Sequence, residues 1–160
     1  PALRDLAHFV WRTKGDLRRA RTLLERAVAA DPEAIWLDSA ALTAFAALLE
    51  DLGDPAAASD IYEQALGRDP KDVTALFNYG LLIEERFADA ERAADMYRRV
   101  LEVDPNHFAT LCNYGGLLDA SLRDHDGAEE LYKRALLIQP DDTATLYNYA
   151  GMVEEVRKDA

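Results

Sequence analysis

Small and apolar residues recur along this chain in short blocks with helical spacing, and the blocks themselves recur. Ala20, Leu24 and Ala27 are spaced four and then three residues apart, as are Ala58, Tyr62 and Ala65, then Ala93, Tyr97 and Val100, then Ala128, Tyr132 and Ala135. Residues so spaced share one face of an α-helix. A second block, Ala-Leu-x-Asn-Tyr-Gly, stands at 75–80, with close copies at 110–115, 145–150, 41–46 and 2–7. Each predicts another short amphipathic helix, so two helices alternate.

Punctuation falls at fixed places between the blocks. Asp16, Asp54, Asp89 and Asp124 each lie four residues before the first alanine of a second-type helix, and Asp159 is the expected next member. They read as N-caps, and Pro55 suits a first helical turn. Asp31-Pro32, Asp69-Pro70, Asp104-Pro105 and Gln139-Pro140 end the same helices, because proline disfavours helix in the residue before it. These pairs are 38, 35 and 35 residues apart.

Small residue, large apolar, Asn, aromatic and Gly, followed by Ala, Tyr, Ala and Pro at a period of about 34 residues, resembles the tetratricopeptide repeat. The resemblance covers the whole chain. It implies an all-α fold, an α-solenoid of antiparallel helix hairpins wound into a right-handed superhelix of about nine helices, with a non-catalytic role in binding proteins. Repeats are expected at 1–34, 35–72, 73–107 and 108–142, with a partial one at 143–160, all in one repeat domain. Because Pro1 falls inside a first helix and Asp159 would open a second one, the chain is expected to be a piece of a longer array. Three repeats of 35 residues carry one extra residue, between Gly80 and Asp89, between Gly115 and Asp124 and between Ala7 and Asp16, which predicts a longer inner turn. Glu33–Asp38 predicts a longer junction near Trp36.

Composition narrows the function. With 18 Lys+Arg against 30 Asp+Glu the net charge is −12, which repels nucleic acid and anionic lipid and favours Lys/Arg-rich partners. Cys112 is the one cysteine, consistent with an intracellular, reducing compartment, the cytoplasm being the simplest. No run is long and apolar enough for a membrane span, and Arg4 and Asp5 stand where a signal peptide would be apolar. His8, His107 and His125 share no metal-ligand spacing with each other or with Cys112, and no cofactor or enzymatic activity is expected.

The resemblance implies that first helices line the concave surface that meets ligand. Asn78, Asn113 and Asn148 recur there every 35 residues. Their carboxamides could donate to and accept from the main chain of an extended peptide, or bond locally to their own or a neighbouring helix. Phe77 and Tyr147, with Cys112 between them in register, offer apolar faces to bound side chains. A second, acidic row comprises Glu50 and Asp51, Glu84 and Glu85, Asp119, and Glu154 and Glu155, either a solvated stripe or a receptor for cations. The basic clamp by which some relatives hold a carboxylate is missing, since Thr43, Ala109 and Asn113, or Phe77 and Cys112, occupy its positions. The alternative to a peptide-binding scaffold is an architectural spacer, or a recruiting arm within a larger enzyme or an RNA-processing assembly; Ala20–Ala27 resembles the half-tetratricopeptide variant found there.

Overall fold

The computed structural model describes residues 17–30 and 38–158, and all the regular structure in them is helical. The expected helix at residues 1–16 and the junction around Trp36 lie outside the described residues. The chain divides into two compact units, Pro1–Leu82 and Ile83–Ala160.

The first unit holds α1 (Leu17–Ala30), α2 (Ser39–Asp51), α3 (Pro55–Arg68) and α4 (Val73–Leu82). Helix α2 packs along α3. Their seam is built on small residues, with Ala46, Ala58 and Ala65 fully buried, so the Tyr62 ring can be enclosed completely. Tyr62 then stacks on Tyr79 of α4, ring centroids 5.6 Å apart and 26° from parallel. The Tyr79 hydroxyl donates to Glu63 at 2.8 Å and lies 3.0 Å from the Ser59 hydroxyl. Arg21 of α1 reaches Asp54 at 3.0 Å, bracing an N-cap.

The second unit opens on a π-helical turn, Ile83–Phe87, directly after α4, and continues through α5 (Ala90–Val103), α6 (Phe108–Leu117), a second π-turn (Leu118–Leu122), α7 (His125–Ile138) and α8 (Thr143–Lys158). Tyr97 of α5 meets Tyr114 of α6 with centroids 6.0 Å apart, and Tyr132 of α7 meets Tyr149 of α8 at the same separation. The second-helix tyrosines thus pack against the first helix of the following repeat. Gly115 is required: a Cβ there would stand 2.9 Å from the Tyr132 ring.

The expected N-caps are in place. Asp54, Asp89 and Asp124 accept from the backbone N–H of Ala57, Arg92 and Gly127 at 3.2, 3.2 and 3.0 Å. Asp69, Asp104 and Gln139 follow the last residues of α3, α5 and α7, as the proline pairs dictate. Asp16 and Asp31-Pro32 lie outside the described residues.

The longer inner turn is corrected by the structure. In the shorter repeat, Leu52, Gly53 and Asp54 connect α2 to α3, with Gly53 at φ +76° and the Asp54 N–H bonded to the carbonyl of Leu49 at 2.9 Å. In the longer repeats only Ala88 and Asp89, or Arg123 and Asp124, lie between helices. The left-handed residue before the cap is retained, at φ 52° in Ala88 and 55° in Arg123. The Asp124 N–H now reaches one residue further back, to Leu118 at 2.9 Å. The inserted residue is therefore absorbed as an i→i+5 widening of the first helix, a single-turn π-bulge, and the loop itself gains no residue.

Candidate functional site

First helices bury one face and leave another partly open. In α4, Ala75, Leu76, Tyr79, Gly80 and Leu82 are buried, while Phe77 and Asn78 are half-buried. In α6, Thr110, Leu111, Gly115 and Leu117 are buried, while Cys112 and Asn113 are half-buried. In α8, Thr145 and Met152 are buried, whereas Asn148 is exposed and Tyr147 is 80% exposed. The structure thus brings the paired positions 112–113 and 147–148 into one unit and leaves 77–78 in the other. Within the second unit a contact joins the two helices, for Cys112 Sγ lies 3.1 Å from the Thr145 hydroxyl. Burial raises the thiol pKa, an effect partly offset by that hydroxyl.

Two members of the acidic row are engaged by buried tyrosines. The Tyr62 hydroxyl donates to Glu50 Oε1 at 2.5 Å, and the Tyr97 hydroxyl donates to Glu84 Oε2 at 2.7 Å. Burial, then the facing carboxylate, raises both phenol pKa values well above the usual range. The Asn78 carboxamide, close to the Tyr62 hydroxyl, acts against this rise.

The third member differs, because Asp119 is one methylene shorter than glutamate. Its carboxylate lies 2.9 Å from His125 Nδ1. Tyr132 is nonetheless pushed up to about 12, by burial first and by Asp119 second. Glu85 and Glu154 are exposed, and Glu155 pairs with Arg123 at 2.8 Å.

Sequence reading missed a second row of caps at the starts of first helices. Asp38, Asp72 and Asp142 accept from the N–H of Ala41, Ala75 and Thr145, and His107 Nδ1 takes the same place for Thr110. Their spacing of 34, 35 and 35 residues was the available signal. The tyrosine–carboxylate pairs also had one, in a constant offset of 12 or 13 residues.

Among the described residues no cluster of His, Cys, Asp and Glu could hold a metal ion, and no helix is long and apolar enough to cross a membrane. Antiparallel hairpins that repeat one packing unit define an α-solenoid repeat protein. Models of the tetratricopeptide repeat match residues 39–82 and 84–145. The chain belongs to the tetratricopeptide repeat family, whose fold serves as a protein–protein interaction scaffold.

No curated protein matches the chain. Among solved structures, a tetratricopeptide repeat protein from Parabacteroides merdae is similar at 25% identity and a TM-score of 0.89, over 99% of this chain and 60% of that one. The chain thus spans 60% of that relative's length. MamA is similar at 21% identity and a TM-score of 0.84, over 96% of this chain and 80% of its own. YrrB, described as having an unusual peptide-binding site, is similar at 24% identity and a TM-score of 0.73, over 86% and 68%. The last two likenesses concern the fold alone.

Proposed function

We propose that the chain is a non-catalytic scaffold that holds an extended, Lys/Arg-rich peptide along its first helices, in an intracellular compartment. One observation carries the reading. At the same register of three first helices, a carboxamide stands beside an apolar side chain that is not fully enclosed, at 77–78, 112–113 and 147–148. Main-chain groups of a peptide fit the carboxamides, and its side chains fit the apolar neighbours. The cationic preference follows from a net charge of −12 and from the exposed carboxylates of Glu85 and Glu154 on the same helical segments. YrrB, of the same fold, is a peptide binder by its description, which makes this use of the fold feasible.

Fluorescence anisotropy with labelled 12-residue peptides, one Lys/Arg-rich, one Glu-rich and one of Gly and Ser, tests the reading. The Lys/Arg-rich peptide should bind, more weakly as salt is raised. The combined Asn78→Ala, Asn113→Ala and Asn148→Ala variant should lose that binding. Equal binding of all three peptides, or an unaffected triple variant, refutes the groove, and salt-independent binding refutes its charge preference. A spacer role would then be the better account, since Glu50 and Glu84 already serve the packing of Tyr62 and Tyr97.

A further inference from the structure

Tyr62, Tyr97 and Tyr132 share one register of the repeat, yet their hydroxyls end differently. Those of Tyr62 and Tyr97 donate to Glu50 and Glu84. Tyr132 is as deeply enclosed, at 1% exposure, but among the described residues its hydroxyl has no hydrogen-bond partner. The carboxylate at the matching place, Asp119, is one methylene shorter and turned to His125 Nδ1 at 2.9 Å. It still lies near enough to raise the phenol's pKa, second to burial. Unpaired polar groups in such enclosed places are rare and call for an occupant. Among the described side chains, Thr43 Oγ1 is the one polar atom sealed from solvent without a hydrogen bond, so the Tyr132 hydroxyl keeps an opening. That opening lies at Gly116. A Cβ there would have the Tyr132 hydroxyl, at 3.7 Å, as its nearest neighbour beyond its own helix, whereas one at Gly115 would strike the ring. In the preceding repeat Leu81 stands at the place of Gly116.

We propose that Gly116, Asp119 and Tyr132 frame a recess on the open face of α6 and its π-turn that receives the ε-ammonium of one lysine of a bound peptide. The proposal rests on the peptide-holding reading above and adds to it a contact at one position. Cys112, Gly116 and Asp119 are four and three residues apart and share a helix face, all half-buried, with Asn113 beside them. In the sister hairpins hydroxyl and carboxylate meet directly, at 2.5 and 2.7 Å. Here a third group has to bridge them. An ammonium carries three donors and no acceptor. One donor suits the phenol oxygen and another the Asp119 oxygen that His125 does not engage, which frees the phenol proton for a carbonyl of the same peptide. An anion would be repelled by Asp119 and by the net charge of −12. Arginine's planar fork fits a space opened by one missing side chain less well than lysine's compact ammonium.

Two measurements separate the recess from the groove. In the first, Nα-acetyl-lysine N-methylamide is titrated at millimolar concentration into the 160-residue chain and followed by amide NMR. It should shift the resonances of Gly116 and Asp119, and the norleucine analogue should not. The Asp119 shift should vanish in Gly116→Leu, which fills the recess as Leu81 does one repeat earlier, and Tyr132→Phe should weaken binding about tenfold. Tyr132→Phe should keep the wild-type urea midpoint, because its hydroxyl holds nothing within the chain. In the second, the lysines of the Lys/Arg-rich peptide are replaced one at a time by acetyl-lysine. One position should cost about tenfold in affinity and the others little, a difference that Tyr132→Phe erases. Shifts indifferent to the ammonium or to Gly116→Leu, or a lowered midpoint for Tyr132→Phe, overturn the proposal. A peptide in which every lysine counts equally also overturns it while leaving the groove in place. Shifts at Gly116 without any peptide binding support the recess and refute the groove.

Discussion

The buried hydroxyl of Tyr97 donates to Glu84 across 2.7 Å, fixing the end of a first helix to the second helix of its own hairpin. The acidic row is therefore partly a product of packing. A carboxylate that accepts from a phenol costs less to hold near its like-charged neighbours than one with no donor.

Tyr97→Phe keeps the ring and removes the bond, leaving the half-buried Glu84 to turn toward water. A loss of about 0.5–1.5 kcal/mol is expected. Glu84→Ala should cost more, about 1–3 kcal/mol, because it strands a buried hydroxyl. The double variant should fall short of the sum, as it does for residues in contact. Urea unfolding of the four proteins measures this, and strict additivity would deny the bond a role in stability.

Alkaline stability follows from the same pairs. Folding raises the phenol pKa values of Tyr62, Tyr97 and Tyr132, the last to about 12, from about 10 in an unfolded chain. A raised folded pKa stabilises the protonated form. That contribution is complete below pH ~10 and is lost as pH climbs through the folded values. Tyrosinate absorbance near 295 nm should therefore rise for these rings together with the loss of helical circular dichroism, above pH ~10. Tyr97→Phe should move this alkaline transition upward. Early titration of all seven tyrosines with the helices intact would contradict it.

His107 caps α6 where Asp38, Asp72 and Asp142 cap the corresponding helices. Its Nδ1 accepts from the Thr110 N–H at 3.3 Å, longer than the 2.8–3.0 Å of those aspartates. His107→Asp restores a better acceptor and places a negative charge at the positive end of the helix, which should add about 0.5–1 kcal/mol. A higher urea midpoint with an unchanged slope is the expected result.

Ala88 holds a left-handed conformation at the place that Gly53 fills in the shorter repeat. Such a conformation costs a non-glycine residue about 1–2 kcal/mol. Part of that gain is offset by the greater freedom of glycine when unfolded, so Ala88→Gly should stabilise by roughly 0.5–1 kcal/mol. The reverse change, Gly53→Ala, should destabilise by a similar amount. Thermal unfolding of both variants checks the pair, and shifts of the same sign would refute the shared turn.

The chain's own periodicity determined the helices, their caps at Asp54, Asp89 and Asp124, their ends before proline and the small-residue seams. Each depends on neighbours within a turn or two, or on a repeat that shows the same choice several times over. Membership of the repeat family was likewise legible in Asn-Tyr-Gly followed by Ala, Tyr, Ala and Pro. Tertiary structure decided the rest. Only packing against Tyr62 and Tyr97 shows that Glu50 and Glu84 are held in place. Counting residues shows that one is extra, but hydrogen-bond geometry places it in a π-turn and not in the loop.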